Sequence, residues 1–325
     1  MGMILLVVIN FFSDAGGEFL TINPGARQAA MGYAFTGVAD DITAVYYNPG
    51  GLAFCKNLEI GCMPPSEGLF AYALKYTYVG GITPLPFKIG SFGLGYSCLF
   101  TSPTDGIIDD TGNKIGWRTY DYTLIFSYGK EVIKNIGLGL SLKYFYDTPY
   151  CFIYDTTHSK TFVFDFGGLY KTPIPGLSLG ISCQNLGDSM HYANSRHTWS
   201  KQMPFLVRTG FGFNSVPFKK NLPSFIPGIN LSGNIIRDLV GTEHENWYGG
   251  GIELAFNKVF TLRGGYFNDT RGCRSGITYG CGFNIGFLQI DISNDGDVYE
   301  FLYENWRMQV NVKPLYFYNR KNNRI

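Results

Sequence analysis

The stretch "IGLGLSLKYFY", residues 136–146, alternates between two kinds of side chain. One phase carries the large residues Ile136, Leu138, Leu140, Leu142, Tyr144 and Tyr146; the other carries Gly137, Gly139, Ser141, Lys143 and Phe145. Successive residues of a β-strand point to opposite faces. The stretch therefore predicts a strand with one apolar face and one face that is mostly small or polar.

The same period of two recurs along most of the chain and predicts an all-β protein with fourteen strands. We expect them at 57–63, 69–79, 88–100, 119–129, 136–147, 161–170, 177–186, 204–214, 228–237, 246–256, 260–267, 276–284, 288–293 and 305–313. Many of these segments have the length of about 9–11 residues that a tilted strand needs to cross a bilayer. An even strand number is also typical of bacterial outer-membrane barrels.

Connections and composition favour an antiparallel transmembrane β-barrel in the bacterial outer membrane. Long and short connections mostly alternate, with exceptions at 64–68 and 215–227. Aromatic residues make up 17% of the chain. Charged residues make up 16%, whereas a typical soluble domain has roughly 25%. An apolar face of this extent fits membrane lipid better than water. The alternative is a large soluble β-sandwich, whose apolar faces would form a core.

The N-terminal run "MILLVVINFF" predicts a secretory signal over residues 1–15. Ser13 and Ala15 form a small-x-small cleavage site before Gly16, but no Lys or Arg precedes the apolar run. The alternative is a first buried strand. The barrel is then expected over 57–313, followed by a basic C-terminal tail over 314–325.

Residues 16–56 do not alternate, and we expect them to form a plug in the lumen, since fourteen strands enclose more space than their side chains fill. Small residues such as Gly32 permit close backbone packing, and Asn48, Pro49 and Gly50 signal a turn towards the first strand. The predicted plug contacts are Arg27, Met31, Gly32, Asp40, Asp41, Asn48, Pro49 and Gly50. Among them, Arg27, Asp40 and Asp41 can pair with lumen groups such as Lys143, Arg208 or Arg263.

This N-terminal region resembles the signature of the PorV/PorQ family, relatives of the FadL long-chain fatty-acid channel. The matching residues are Phe19-Leu20, Gly25-Ala26-Arg27, Met31-Gly32, Ala39-Asp40-Asp41 and Asn48-Pro49-Gly50-Gly51-Leu52, with Gly50 in place of the usual Ala. The blocks "FVFDFGGLYKTP", "GLSLGISCQNLG" and "FTLRGGYF" extend the resemblance over most of the chain.

The resemblance implies a FadL-like barrel that acts as an accessory or shuttle component of type IX protein secretion. Its partners would be the large translocon barrel and the C-terminal signal domain of secreted cargo. The docking residues would then be loop residues that we expect to be exposed: Ile107, Ile108, Trp117, Tyr150, Phe152, Tyr192 and Trp199. For Trp117 and Trp199, the alternative that they belong to the aromatic belt at the membrane interface has equal weight. The alternative function is a FadL-like channel for small hydrophobic molecules.

Catalytic and cofactor chemistry are not expected. The four histidines fall in predicted loops or near strand ends, and the cysteines show no metal-ligand spacing, although a disulfide between two loops stays open. Asp109-Asp110 and the stretch 293–300 fit either a weak Ca²⁺ site or solvated acidic loops. A net charge of +1 does not indicate a nucleic-acid partner.

Overall fold

The computed structural model describes most of the chain between residues 17 and 314. The described ranges are 17–66, 74–101, 107–108, 114–115, 120–148, 158–193, 198–221, 226–240, 246–256, 259–269, 274–296 and 305–314. The predicted signal, residues 1–15, and the predicted tail from residue 315 onward lie outside these ranges.

Fourteen antiparallel strands close into one barrel, as the alternation predicts. Four short strands outside the barrel, β4, β5, β10 and β11, are numbered together with the barrel strands. In chain order the strands of the described residues are β1 Glu59–Ser66, β2 Leu74–Pro84, β3 Ser91–Thr101, β4 Ile107–Ile108, β5 Lys114–Ile115, β6 Tyr120–Ile133, β7 Ile136–Asp147, β8 Ser159–Lys171, β9 Leu177–Gly187, β10 Met190–Ala193, β11 Thr198–Lys201, β12 Leu206–Asn214, β13 Gly228–Asp238, β14 Asn246–Phe256, β15 Phe260–Asp269, β16 Arg274–Ile285, β17 Leu288–Asn294 and β18 Trp306–Val312. Strand β1 pairs with both β2 and β18, so the sheet has no free edge. The pairs β4–β5 and β10–β11 form small hairpins outside the ring.

The two phases of each strand separate into a lipid-facing wall and a polar interior. In β7, Leu138 and Leu140 are 51% and 50% exposed, whereas Ser141 and Lys143 are buried. The same contrast recurs around the ring, with Phe166, Ile181, Ile252 and Ile277 among the exposed residues. This confirms the predicted transmembrane barrel. Among the described helices, none has the length and hydropathy of a membrane span.

The second strand is displaced from its predicted position. We expected it at 69–79 with a turn at 80–87, but β2 spans Leu74–Pro84. Gly80 and Gly81, which suggest a turn in sequence, pair within the sheet with Gly61 and Ile60. Gly80 lies on the inward phase, where a Cβ would come within 2.7 Å of the Tyr78 hydroxyl. The glycine therefore makes room for an inward ring instead of bending the chain.

Residues 17–56, the inner segment, lie inside the ring. They contain 3₁₀-helices at Glu18–Thr21 and Pro49–Phe54 and the short helices α1 (Ala26–Ala30) and α2 (Ala44–Tyr47). Helix α1 contacts β15 to β18, whereas Pro49–Phe54 contacts β3 and β6 to β9 on another side of the barrel. Most of the segment is buried. Contacts on separate sides of a closed ring require the segment to cross the interior.

The outward position of Leu140 predicts the effect of a charge there. We expect Leu140→Arg to lower the free energy of unfolding in lipid vesicles by about 2–4 kcal/mol, because the guanidinium would enter hydrocarbon. Denaturant titration followed by tryptophan fluorescence measures this. Leu140→Met, which keeps volume and polarity, is the matched control. An Arg variant as stable as the Met variant would contradict the lipid-facing assignment.

Candidate functional site in the barrel interior and wall

An arginine–carboxylate network joins the inner segment to the barrel near the ends of β14, β15 and β17. Arg27 Nη1 lies 2.6 Å from Asp40 Oδ1 and 3.6 Å from Asp41 Oδ2, and its Nε lies 3.2 Å from Glu253 Oε2. The barrel continues the network, with Arg263 bound to Glu253 at 2.6 Å and to Asp291 at 2.7 Å.

The network keeps Arg27 charged within the barrel. Burial alone lowers the pKa of Arg27, but the carboxylates of Asp40, Glu253 and Asp41 raise it well above its ordinary value. The Arg27 side chain is only 15% exposed, whereas Asp40 is 55% exposed and opens to solvent. The buried cation is thus held from two sides, one of them the barrel wall.

A second polar anchor holds the inner segment against β18. Arg307 Nη2 lies 2.9 Å from Asp295, and Nη1 donates to the carbonyl of Asn23 at 2.8 Å. The Tyr33 hydroxyl donates to the same Asp295. The Asn23 side chain also accepts from Arg208 Nη2 at 3.0 Å. These groups are buried, so the charges of Arg307 and Asp295 are balanced by each other rather than by water.

Asn48 fixes the turn by which the inner segment approaches β8. Its side chain accepts from Gly50 N at 3.0 Å and donates to the carbonyls of Thr36 and Gly168 at 2.8 and 3.0 Å. Pro49 follows as the first residue of the 3₁₀-helix. A Cβ at Gly50 would lie 2.8 Å from the Cα of Gly168, so an alanine there would press on the barrel backbone.

The wall between β12 and β15 is thin where the inner segment touches it. Gly32 has a φ of 60°, and a Cβ there would lie 2.3 Å from the Tyr266 carbonyl oxygen and 2.7 Å from that of Gly250. On the barrel side, a Cβ at Gly249 or Gly265 would meet the Gly32 backbone at 2.1 or 2.4 Å. Backbone therefore packs directly on backbone, with no side chain between them.

A groove of about 680 Å³ lies on the outer face of this same wall section. Its floor contains Gly210, Gly233, Gly249 and Gly250, and its walls are largely apolar. The larger lining residues are Leu179, Phe211, Ile235, Tyr248 and Tyr266, all of which face lipid. The groove and the Gly32 contact thus lie on opposite sides of a single backbone layer.

The predicted plug residues are brought together only in part. Arg27, Asp40 and Asp41 form one cluster, while Met31 and Gly32 contact the thin wall and Asn48 to Gly50 contact β8. The predicted barrel partners were incorrect in detail: Lys143 pairs with Asp165 at 2.7 Å, and Arg263 reaches Arg27 only through Glu253. The sequence does offer a signal for the actual partner of Arg27, because the alternation in β14 places Glu253 on the inward face.

The predicted exposure of Tyr192 is wrong, and Trp199 is only partly exposed. The two rings stack at 5.4 Å on the β10–β11 hairpin, and Tyr192 is buried with its hydroxyl bonded to Asp147. The hairpin folds onto the hydrophobic cluster that contains Phe19 and Phe145 instead of extending into solvent. Ile107 and Ile108 form β4, whereas Trp117, Tyr150 and Phe152 lie outside the described residues.

The cysteines and acidic stretches of the sequence fall only partly within the described residues. There, no group of three or more His, Cys, Asp or Glu side chains has the geometry of a metal site. Cys55, Cys62, Cys98, Cys183 and Cys281 are free thiols. Asp109, Asp110 and residues 297–300 of the acidic stretch 293–300 fall outside the described residues.

Comparison with solved structures defines the class of fold. The TodX monoaromatic hydrocarbon channel, as its deltaS2 mutant, matches with a TM-score of 0.51 and 11% identity over 89% of this chain and 97% of that one. The CymD monoaromatic hydrocarbon channel matches with a TM-score of 0.50 and 9% identity over 89% and 97%. The Pseudomonas putida toluene transporter TodX matches at 0.49 and 10% over 87% and 96%.

At these identities the likeness establishes the fold alone. No protein-family model matches the sequence, and no curated protein matches it either. The closed ring, its lipid-facing wall and these neighbours define a FadL-like β-barrel of fourteen strands. The chain is accordingly a protein of the bacterial outer membrane.

Removing the Arg27 charge tests the first anchor. We expect Arg27→Met to lower the free energy of local opening of the inner segment by about 3 kcal/mol, because Asp41 is left buried and Glu253 loses a partner. Hydrogen exchange of the Ala29 amide, which bonds the Gly25 carbonyl at 3.1 Å, measures this. Asp40→Asn, at the exposed side of the network, should change it by less than about 1 kcal/mol. Equal effects of both variants would refute the anchoring role.

The Gly50 contact predicts a position-specific effect of alanine. We expect Gly50→Ala to destabilise the barrel by about 1–3 kcal/mol, because the methyl group meets the Gly168 backbone. Gly264→Ala is the matched control, since nothing lies within 4 Å of its Cβ position. Thermal unfolding in detergent compares the two. If Gly264→Ala is the more damaging change, the tight contact at Gly50 is not a constraint on stability.

Proposed function

We propose that the protein is an outer-membrane channel for small hydrophobic molecules, described here in its closed state. The observation that carries this proposal is the apolar groove opposite Gly32. At this point one layer of glycine-rich backbone separates the interior from lipid-facing side chains. The fold shared with channels for monoaromatic hydrocarbons supports the same function.

Passage through this wall requires the inner segment to move locally and two adjacent strands to part, because β12 to β15 are hydrogen-bonded without interruption. Residues 31–37 lie on the glycines of β9, β12, β14 and β15 and block the inner face of the groove. They are flanked by the Arg27 network on one side and by the Asn48 turn on the other. We expect opening to displace residues 31–37 and to break the hydrogen bonds of Tyr33 to Asp295 and of Asn48 to the Thr36 carbonyl, while the Arg27 network holds the flanking residues. The cluster of Phe19, Phe145 and Tyr192 packs together towards the long-loop end.

A reversible crosslink tests this opening. The Cβ of Thr36 lies 3.3 Å from the Cβ position of Gly210, a few tenths of an ångström below the usual range for a disulfide. We expect Thr36→Cys/Gly210→Cys, made in a chain whose native cysteines are replaced by serine, to block uptake of a monoaromatic hydrocarbon such as toluene when oxidised. Uptake into cells that lack other hydrocarbon channels measures this.

Reduction of the disulfide should restore uptake, and each single-cysteine variant is a control for the substitution itself. If the oxidised protein still transports, residues 31–37 do not gate the wall. If the uncrosslinked protein never raises uptake above cells without it, the channel proposal fails.

A second candidate is a PorV/PorQ-like accessory role in type IX secretion, suggested by the sequence resemblance. The filled interior supports it, since a barrel that serves as a docking subunit needs no open path. The partners would be a large translocon barrel and cargo with a shared C-terminal domain. Purification from native outer membranes in mild detergent, followed by mass spectrometry, tests this. Co-purification of these partners supports the role, and recovery of the barrel alone refutes it.

A further inference from the structure

The end of the barrel formed by the short connections carries exposed apolar side chains. We call this end the short-turn rim. Its described exposed apolar residues are Phe87, Ile89, Val132, Ile133, Ile174, Val216, Phe218, Val259 and Ile285. They lie in six connections or at the strand ends beside them: β2–β3, β6–β7, β8–β9, β12–β13, β14–β15 and β16–β17. Phe87 is 95% exposed and Ile133 is 65% exposed, more than the wall residue Leu140 at 50%. These side chains therefore extend beyond the packed surface of the wall.

The turn that carries Phe87 is built to project it. Phe87 and the next residue, Lys88, both have positive φ values, 56° and 55°. The turn is closed by a backbone hydrogen bond of 2.8 Å from Leu85 N to the Gly90 carbonyl. A left-handed conformation in two bulky residues in succession is uncommon. It places an aromatic side chain and a cation side by side at the tip.

The same rim is basic. Five lysines are exposed there among the described residues: Lys56, Lys88, Lys130, Lys134 and Lys171. Two acidic side chains are exposed with them in the described residues, and both have internal partners. Asp40 binds Arg27, and Glu131 accepts from the Asn135 amide at 2.7 Å. The rim therefore presents positive charge among apolar side chains.

We propose that the short-turn rim binds anionic phospholipid headgroups of the leaflet that it faces. The rim is continuous with the lipid-facing wall, so the bilayer surface is the phase adjacent to it. Apolar side chains at such a place enter the boundary between acyl chains and headgroups, while lysine stems extend along it and place their ammonium groups beside phosphates. Exposed apolar side chains alone would fit any lipid, and the lysines make an anionic headgroup the better match. This inference rests on the barrel fold and is independent of the channel proposal.

Lipid retention tests the proposal with a charge-matched pair of variants. The barrel is placed in nanodiscs with equal amounts of phosphatidylglycerol and phosphatidylcholine, released gently, and analysed by native mass spectrometry. We expect the unmodified protein to retain phosphatidylglycerol several-fold over phosphatidylcholine. Lys88→Gln/Lys134→Gln should weaken that retention by roughly tenfold or more, from the attraction of about 1 kcal/mol per lysine near a charged surface. Lys160→Gln/Arg237→Gln removes two exposed cations at the opposite end, and this variant should prefer phosphatidylglycerol as strongly as the unmodified protein does.

Two further measurements separate the alternatives. Phe87→Asn keeps a residue that tolerates positive φ and should reduce retention of both lipids, because it removes the apolar anchor. Inorganic phosphate at millimolar concentration should not displace the lipid, and full displacement would show a free-anion site in place of a lipid site. Equal retention of the two lipids by the unmodified protein, or equal loss in both double variants, would overturn the proposal. An acidic protein would then be the candidate occupant of the rim.

Discussion

Closure of the backbone ladder between β1 and β18 is the constraint on which the rest of the structure depends. A strand in hydrocarbon has no water to satisfy its amide and carbonyl groups, so every strand needs two neighbours. Closure fixes which phase of each strand points inward. Leu138 and Leu140 therefore face lipid, whereas Ser141 and Lys143 face the interior. The apolar wall and the polar lumen are two consequences of a single ring.

The polar interior in turn sets the requirements for whatever fills it. Inward charges such as Arg263, Asp291 and Arg307 are buried and need partners, since an unpaired buried charge is strongly destabilising. The inner segment supplies Arg27 to the first group and the Asn23 carbonyl and the Tyr33 hydroxyl to the second. Where it has no polar side chain to offer, glycines on both sides let backbone meet backbone. Complementary charge and complementary shape are thus used at different places along one segment.

Most strands of the ring could be predicted from the sequence, because the alternation of large apolar residues with small or polar ones occurs within each strand. The alternation in 136–147 identifies β7 to the residue, and the strand number follows from repeating that reading. Gly80-Gly81 lies in β2 although the turn was predicted at 80–87. Glycine is common both in turns and at close packing contacts, and only the inward ring of Tyr78 shows that the second case applies here. Arg27 and Glu253 lie 226 residues apart, so their pairing depends on ring closure, which no local pattern encodes. Burial of Tyr192 depends in the same way on the cluster beneath its hairpin.

The distribution of anchors bears on which proposed function the inner segment can serve. A rigid accessory subunit would gain from polar anchors spread evenly along the segment, whereas a channel needs one stretch that can leave the wall at low cost. Charged anchors occur at Arg27 and around Asp295, whereas the contact of Gly32 with β14 and β15 is mainly van der Waals packing, with one hydrogen bond from Gly32 N to Thr278 at 3.1 Å. Residues 31–37 are also held by hydrogen bonds of the Tyr33 hydroxyl to Asp295 and of Asn48 and Ser178 to the Thr36 and Gly37 carbonyls. They form no ion pair with the wall that lies beneath the apolar groove. A gate at residues 31–37 would therefore break hydrogen bonds but no ion pair, whereas release of the whole segment would also break the ion pairs of Arg27 with Asp40 and Glu253. That difference favours local opening over displacement of the whole segment.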